Sequence, residues 1–139
     1  MLLPLDAHAH IDPAHRLDDV ASAGAVLAMT LSLEEAALAV DRREPYIVWG
    51  VGCHPRLRKA QEAFSVEQFA NLVERTAIVG EIGLDKGSRV PLALQLQTFR
   101  QALAVLACPP LQISYWPSLV ALIFRLLMDI VIHWRRRKP

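Results

Sequence analysis

The chain has 139 residues, 53% of them hydrophobic, and a formal net charge of +1 at pH 7. That length fits one domain, and so large an apolar share excludes a disordered chain. The charge is unevenly spread: residues 1–114 carry ten Lys/Arg against thirteen Asp/Glu, and residues 115–139 carry five against one, which excludes a basic nucleic-acid platform in the body of the chain.

Taken in chain order, apolar strand-like runs alternate with helical patterns. Residues 2–7 predict a first strand, in which Asp6 and His8 interrupt the apolar run too early for a signal peptide. A short helix is expected to close over 20–24, with Gly24 as its stop signal. Residues 25–30 predict the second strand. Ser32 then caps a helix over 33–43, with Glu34 and Glu35 favourable in its first turn. Residues 46–51, just after Pro45, predict the third strand. Ser65 caps a helix running through Arg75, and 77–82 predict the fourth strand. Leu92–Ala107 predicts an amphipathic helix whose stripe is Leu96, Phe99, Leu103 and Leu106. A fifth strand starts over 111–114. Such β–α alternation predicts parallel strands joined by crossover helices, an α/β fold. Two cysteines, Cys53 and Cys108, give no disulfide framework and fit a reducing, cytoplasmic setting.

Chemistry concentrates in two motifs, Asp6-Ala7-His8-Ala9-His10 and Val79-Gly80-Glu81-Ile82-Gly83-Leu84-Asp85. Residues i and i+2 of a strand share a face, so the imidazoles of His8 and His10 converge. Glu81, at the end of another strand, adds an anionic oxygen that could bridge two ions. Together they make a ligand set for a divalent metal, and such an ion renders water acidic enough for hydrolysis near neutral pH. A His-x-His alone also occurs without any metal role; its pairing with Glu81 gives it weight. Asp6 or Asp12 could orient the rings. His54, in Gly52-Cys53-His54-Pro55, either faces a substrate phosphate at the strand mouth or is a turn residue before proline. Arg56, with Arg58 and Lys59, either meets a phosphate backbone or forms a solvated loop. Asp85 either reaches the site or caps the next turn. Cys53 is expected to be a small buried residue, with no adjacent base to make it a nucleophile. His15 and Arg16 are expected in a solvated loop.

These motifs resemble the TatD family of metal-dependent hydrolases, TIM-barrel DNases related to the amidohydrolases. The resemblance runs from Leu5 to about Ser114 and also includes Gly50-Val51-Gly52-Cys53-His54-Pro55 and Gln95-Leu96-Gln97-Thr98-Phe99-Arg100. The loop Lys86-Gly87-Ser88-Arg89-Val90-Pro91 looks more like the TatD-like component of Qat anti-phage systems than the housekeeping branch. The resemblance implies the N-terminal half of a TIM-like (β/α) barrel with about five parallel strands. It implies hydrolysis of phosphodiester bonds, with DNA as substrate and a divalent ion (Mg, Mn or Zn) as cofactor. His8, His10 and Glu81 would hold the metal, Glu81 and His54 would serve catalysis, and His54 and Arg56 would meet substrate.

The resemblance ends abruptly after residue 114. The family's third histidine is expected at position 116, where Trp116 stands, and His133 lies too far along to replace it. The expectation is therefore a partial hydrolase domain, 1–114, followed by a divergent apolar and basic tail, 115–139, as in a truncated or frame-shifted member that is inactive alone. A half-barrel with open sheet edges would favour self-association. Other readings are a non-catalytic fragment and a small membrane-associated protein using residues 118–134. Arg125 and Asp129 fall inside that apolar window, so no dedicated membrane partner is expected.

Overall fold

The computed structural model describes residues 4–14 and 24–107, all within one compact unit, Met1–Cys108. The expected helix closing at Gly24, the loop residues His15 and Arg16, the fifth strand and the tail lie largely or wholly outside those residues. Eight elements follow in order: β1 (Leu5–Ala9), β2 (Ala25–Met29), α1 (Leu33–Ala39), β3 (Ile47–Cys53), α2 (Arg58–Glu62), α3 (Val66–Val73), β4 (Ile78–Ile82) and α4 (Leu92–Ala107). The strands form one sheet in the order β1-β2-β3-β4, every pair parallel. This is the sequential α/β arrangement of the N-terminal half of a TIM-like barrel. No helix among the described residues is long and apolar enough to cross a membrane.

The caps explain where the helices begin. Ser32 Oγ accepts from the Glu35 amide at 3.2 Å, and the Glu35 carboxylate accepts from the Leu31 amide at 2.8 Å, a reciprocal arrangement that satisfies two otherwise free donors. Ser65 caps α3 in the same way through the Gln68 amide, at 3.2 Å. Both helices stop short of their expected ends. Arg42, expected inside α1, instead lies over the Trp49 ring at 5.5 Å and donates to Glu44 at 2.6 Å. Arg75, expected inside α3, reaches across to Asp41. In each case a tertiary partner for the guanidinium outweighs one more helical turn.

The strands also differ from the expected spans. β1 starts later, at Leu5, and runs on to Ala9, so His8 lies inside it. β3 runs on to Cys53, because Gly52 continues the pairing: its amide donates to Thr30 Oγ1 at 3.2 Å, and that hydroxyl donates to the Gly50 carbonyl at 2.9 Å. Helix α2 was not expected, since Pro55 and the charges around it read as a loop. It forms as a single short segment with an Arg58–Glu62 pair one turn apart, at 2.7 Å, and with Gln61 turned inward.

The core lies between the sheet and its helices. Leu33, Ala36 and Val40 from α1 and its cap, Val51 from β3, Phe69 and Leu72 from α3, and Ala102 from α4 form one cluster, with Val79 and Ile82 packed against it. A second cluster joins Ala28, Ala39 and Trp49. Helix α4 presents a face rotated by one residue from the expected stripe. Gln95, Thr98 and Ala102 are its buried residues, and Leu96, Phe99, Leu103 and Leu106 are only partly buried. Ala102 lets the helix approach closely, and Gln95 is drawn in by backbone partners described below.

On the opposite face of the sheet, Met29 fills the space left by two glycines: a Cβ at Gly50 or Gly80 would meet its sulfur at 2.8 or 2.3 Å. Gly52 is more constrained, because an added Cβ would lie 2.4 Å from the Gly80 carbonyl oxygen and 2.5 Å from that of Thr30, neither of which can yield without breaking the sheet. Gly52→Ala should therefore destabilise the unit by about 2–3 kcal/mol. Gly83→Ala, whose added Cβ meets nothing within 4 Å, should stay within about 0.5 kcal/mol of the parent. Urea unfolding midpoints of the two variants check this.

Candidate metal centre

Both strands that carry the candidate ligands are irregular at the ligand. Asp6 faces Val26 but Ala9 faces Ala28, so β1 takes three steps where β2 takes two. Val51 faces Val79 but Cys53 faces Ile82, so β4 takes three steps where β3 takes two. Each shift inserts one extra residue and re-aims the side chains around it. On β1 the Asp6 carboxylate accepts from the His8 amide at 3.0 Å, which satisfies a donor the irregular ladder leaves over. On β4 Glu81 takes a φ of 51°, and it is the only non-glycine with positive φ among the described residues. That left-handed backbone costs on the order of 1–3 kcal/mol and persists only where the surroundings enforce it.

The outcome is a convergence of three side chains. His8 Nε2 lies 2.8 Å from Glu81 Oε1, His10 Nε2 lies 3.9 Å from the same oxygen, and the two Nε2 atoms are 3.2 Å apart. Their donor atoms all fall within 4.8 Å of one another, the one such group of metal-ligand type among the described residues. The rings meet edge to face with centroids 4.8 Å apart. Glu81 is the base of the group, its side chain only 13% exposed, and the imidazoles open to solvent at 56% and 42%. Ligands about 2.1 Å from a shared ion stand roughly 3–3.5 Å from each other, and the three separations bracket that range.

Hydrogen bonding assigns different tautomers to two of the rings. His10 Nδ1 is 3.1 Å from the Met29 carbonyl, which can only accept, so Nδ1 carries the hydrogen and Nε2 presents its lone pair to the cluster. That is the form a metal ligand requires. His54 is held the other way. The Arg56 amide donates to its Nδ1 at 3.1 Å, so in the neutral ring the hydrogen sits on Nε2, which lies 3.3 Å from Glu81 Oε2. His10 therefore offers an electron pair and His54 a proton. Gln61, 3% exposed, steadies the His54 turn through its side-chain amide, which donates to the carbonyls of Cys53 and His54 at 3.0 and 3.2 Å.

Other residues singled out from sequence fall elsewhere. Asp6 or Asp12 could have oriented the rings, but the contacts seen among the described residues are to backbone amides. Asp6 binds the His8 backbone, and Asp12 accepts from the Ala14 amide at 2.8 Å; the orienting acceptor for His10 is the Met29 carbonyl. Asp85 accepts from the Gly87 amide at 2.7 Å and pairs with Arg56 Nε at 2.8 Å, outside the ligand cluster. Arg56 is thus tied across the rim between His54 and Asp85, whereas Arg58 is paired with Glu62 on the surface. Sequence reasoning missed Met29, Gln61 and Gln95. The first acts through its carbonyl and carries no sequence signal. Gln61 lay in a stretch read as a loop, and Gln95 stood in a quoted motif but off the expected apolar stripe, so neither carried a signal of burial.

Residues 5–107 match the family model described as TatD related DNase, and the chain belongs to that family of metal-dependent hydrolases. None of the curated proteins matches the chain.

Cys53 is fully buried beneath the site, and that burial pushes its thiol up to about 11. Raising the folded value keeps the thiol neutral, so its contribution to stability is complete below about pH 9 and is lost as pH rises toward about 11. At pH 8 the thiolate fraction is on the order of one in a thousand. In a Cys108→Ser background, iodoacetamide should leave Cys53 unlabelled at pH 8 until urea unfolds the chain; rapid labelling of the folded protein would contradict the burial.

Proposed function

We propose that the chain carries the N-terminal portion of a divalent-metal centre that hydrolyses phosphodiester bonds in DNA. His8, His10 and Glu81 would hold the ion, which supplies Lewis acidity and more readily deprotonated water there. The observation that carries the proposal is the pairing of the His10 tautomer with the partly buried Glu81 carboxylate: an imidazole lone pair and an anionic oxygen, both aimed at the His8 nitrogen. Two acceptors, the His10 lone pair and the Glu81 carboxylate, converge on His8 Nε2, and such a meeting is poorly placed unless a proton or a cation lies between them.

The remaining residues would serve substrate. His54 presents its Nε2 hydrogen beside Glu81 and can donate to a phosphate oxygen once that carboxylate is engaged with a cation. Arg56, held by its Nε to Asp85, keeps its terminal amino groups for a second phosphate contact. On its own the chain is proposed to turn DNA over weakly. Trp116 occupies the position where the family resemblance places a third histidine, and an indole nitrogen donates a hydrogen and offers no lone pair to a metal. Which of Mg, Mn or Zn is preferred follows from measurement, since two imidazoles with one carboxylate suit more than one of them.

Calorimetric titration with Mn or Zn should give one binding event, lost in His8→Ala/His10→Ala and weakened at least tenfold in Glu81→Gln. Metal binding that survives the double substitution would overturn the site. Nucleotide release from single-stranded DNA with Mg or Mn should stay close to the double variant's background. Metal-dependent turnover abolished by the double substitution would show that these ligands suffice, and the weak-turnover statement would fall while the site stood.

A further inference from the structure

Gln95 is 1% exposed, on the face of α4 where an amphipathic helix places an apolar residue. Burying a primary amide is unfavourable unless its groups are bonded, and here they are. Its Oε1 accepts from the Asp85 amide at 2.7 Å, and its Nε2 donates to the carbonyls of Asp85 and Val90 at 3.2 and 2.8 Å. The side chain therefore grips both backbone groups of Asp85 and the far end of the same loop. That loop closes on itself through Ser88 and leans on the neighbouring one: the Ser88 amide donates to the Asp85 carbonyl at 3.2 Å, and Ser88 Oγ donates to the Pro55 carbonyl at 3.3 Å.

The loop's one charged contact toward the centre is Asp85 Oδ2 with Arg56 Nε. Arg56 in turn fixes His54 through its own amide, and His54 stands beside Glu81. An unbroken series of contacts thus runs from Gln95 through Asp85 and Arg56 to His54. We propose that Gln95 is a positioning residue for substrate phosphate: it immobilises the loop over 85–90 so that Asp85 holds the Arg56 guanidinium at the rim of the centre. The ligand class is a phosphodiester of single-stranded DNA, and the inference rests on the function proposed above. Asp85 is then a brace for a cation, and the Gln95 motif, to which sequence reading gave no role, acquires one.

The test uses the full chain in EDTA, so that phosphate contact is read apart from metal. A fluorescent oligothymidylate is followed by anisotropy across a salt series. Arg56→Lys keeps the charge on an exposed side chain and removes the Nε donor that Asp85 grips. It should weaken binding several-fold, and Gln95→Met should weaken it by a similar factor. Arg56→Ala should lower the salt slope by about 0.7. The double variant Gln95→Met/Arg56→Lys should bind no worse than Arg56→Lys alone, because both act through one contact. Trypsin should cut Gln95→Met after Lys86 and Arg89 at least tenfold faster than the parent. Additive losses in the double variant, or parent-like binding by a Gln95→Met variant whose loop is cut faster, would overturn the positioning role. If Gln95→Met does not fold, parent-like binding by Arg56→Lys overturns it instead, since the pair would then position nothing. A parent chain that shows no salt-dependent binding overturns the positioning role, whereas the proposed metal centre stands or falls on the metal titration above.

Discussion

One constraint governs the centre: β1 and β4 each carry a residue more than the strand they pair with, and in both the surplus falls at a candidate ligand. A regular strand would alternate its side chains between the helix side and the open side of the sheet. Strict alternation from Val79 would place Glu81 on the Val79 side, toward the helices. The extra residue, with Glu81 in left-handed backbone, turns the carboxylate to meet His8 and His10. The pairing of β3 with β4 and the contacts of Val79 and Ile82 with the core hold that strained backbone in place.

Around this irregularity the sheet is unusually tight. Thr30 bridges β2 and β3 with its hydroxyl, Gly52 lies against two backbone carbonyls, and Met29 fills the gap beside Gly50 and Gly80. Two buried amides then carry that rigidity outward. Gln61 fixes the turn that bears His54, and Gln95 fixes the loop that bears Asp85. Each replaces an apolar contact with directed hydrogen bonds, which suits residues that must set the orientation of a loop and not merely cover it.

Much of the fold was legible in the chain. Apolar runs bounded by helix caps located all four described strands and three of the four helices, because Ser32 and Ser65 are strong local signals. Their ends were less legible, since Arg42 and Arg75 find partners that no local pattern reveals. Helix α2 was hidden by Pro55. The face of α4 was misassigned by one residue, because the leucine stripe outweighs a glutamine in any hydrophobicity pattern and the backbone groups that draw Gln95 inward belong to another part of the chain.

The sequence by itself determined the ligand chemistry, two imidazoles and a carboxylate, and the strands that bear them, since residue type and β–α alternation are local properties. It also determined the family, through motifs whose order and spacing survive in the primary structure. Tertiary structure alone decided how the ligands meet. His10 lies beyond the end of its strand and His8 inside a register shift, so their convergence is not the simple alternation of i and i+2. Which nitrogen of each ring carries the hydrogen depends on a carbonyl from β2 and an amide from the turn after β3. Hydrogen bonds between segments distant in sequence leave no trace in the order of residues, and they are what separates a ring that can bind a cation from one that can donate a proton.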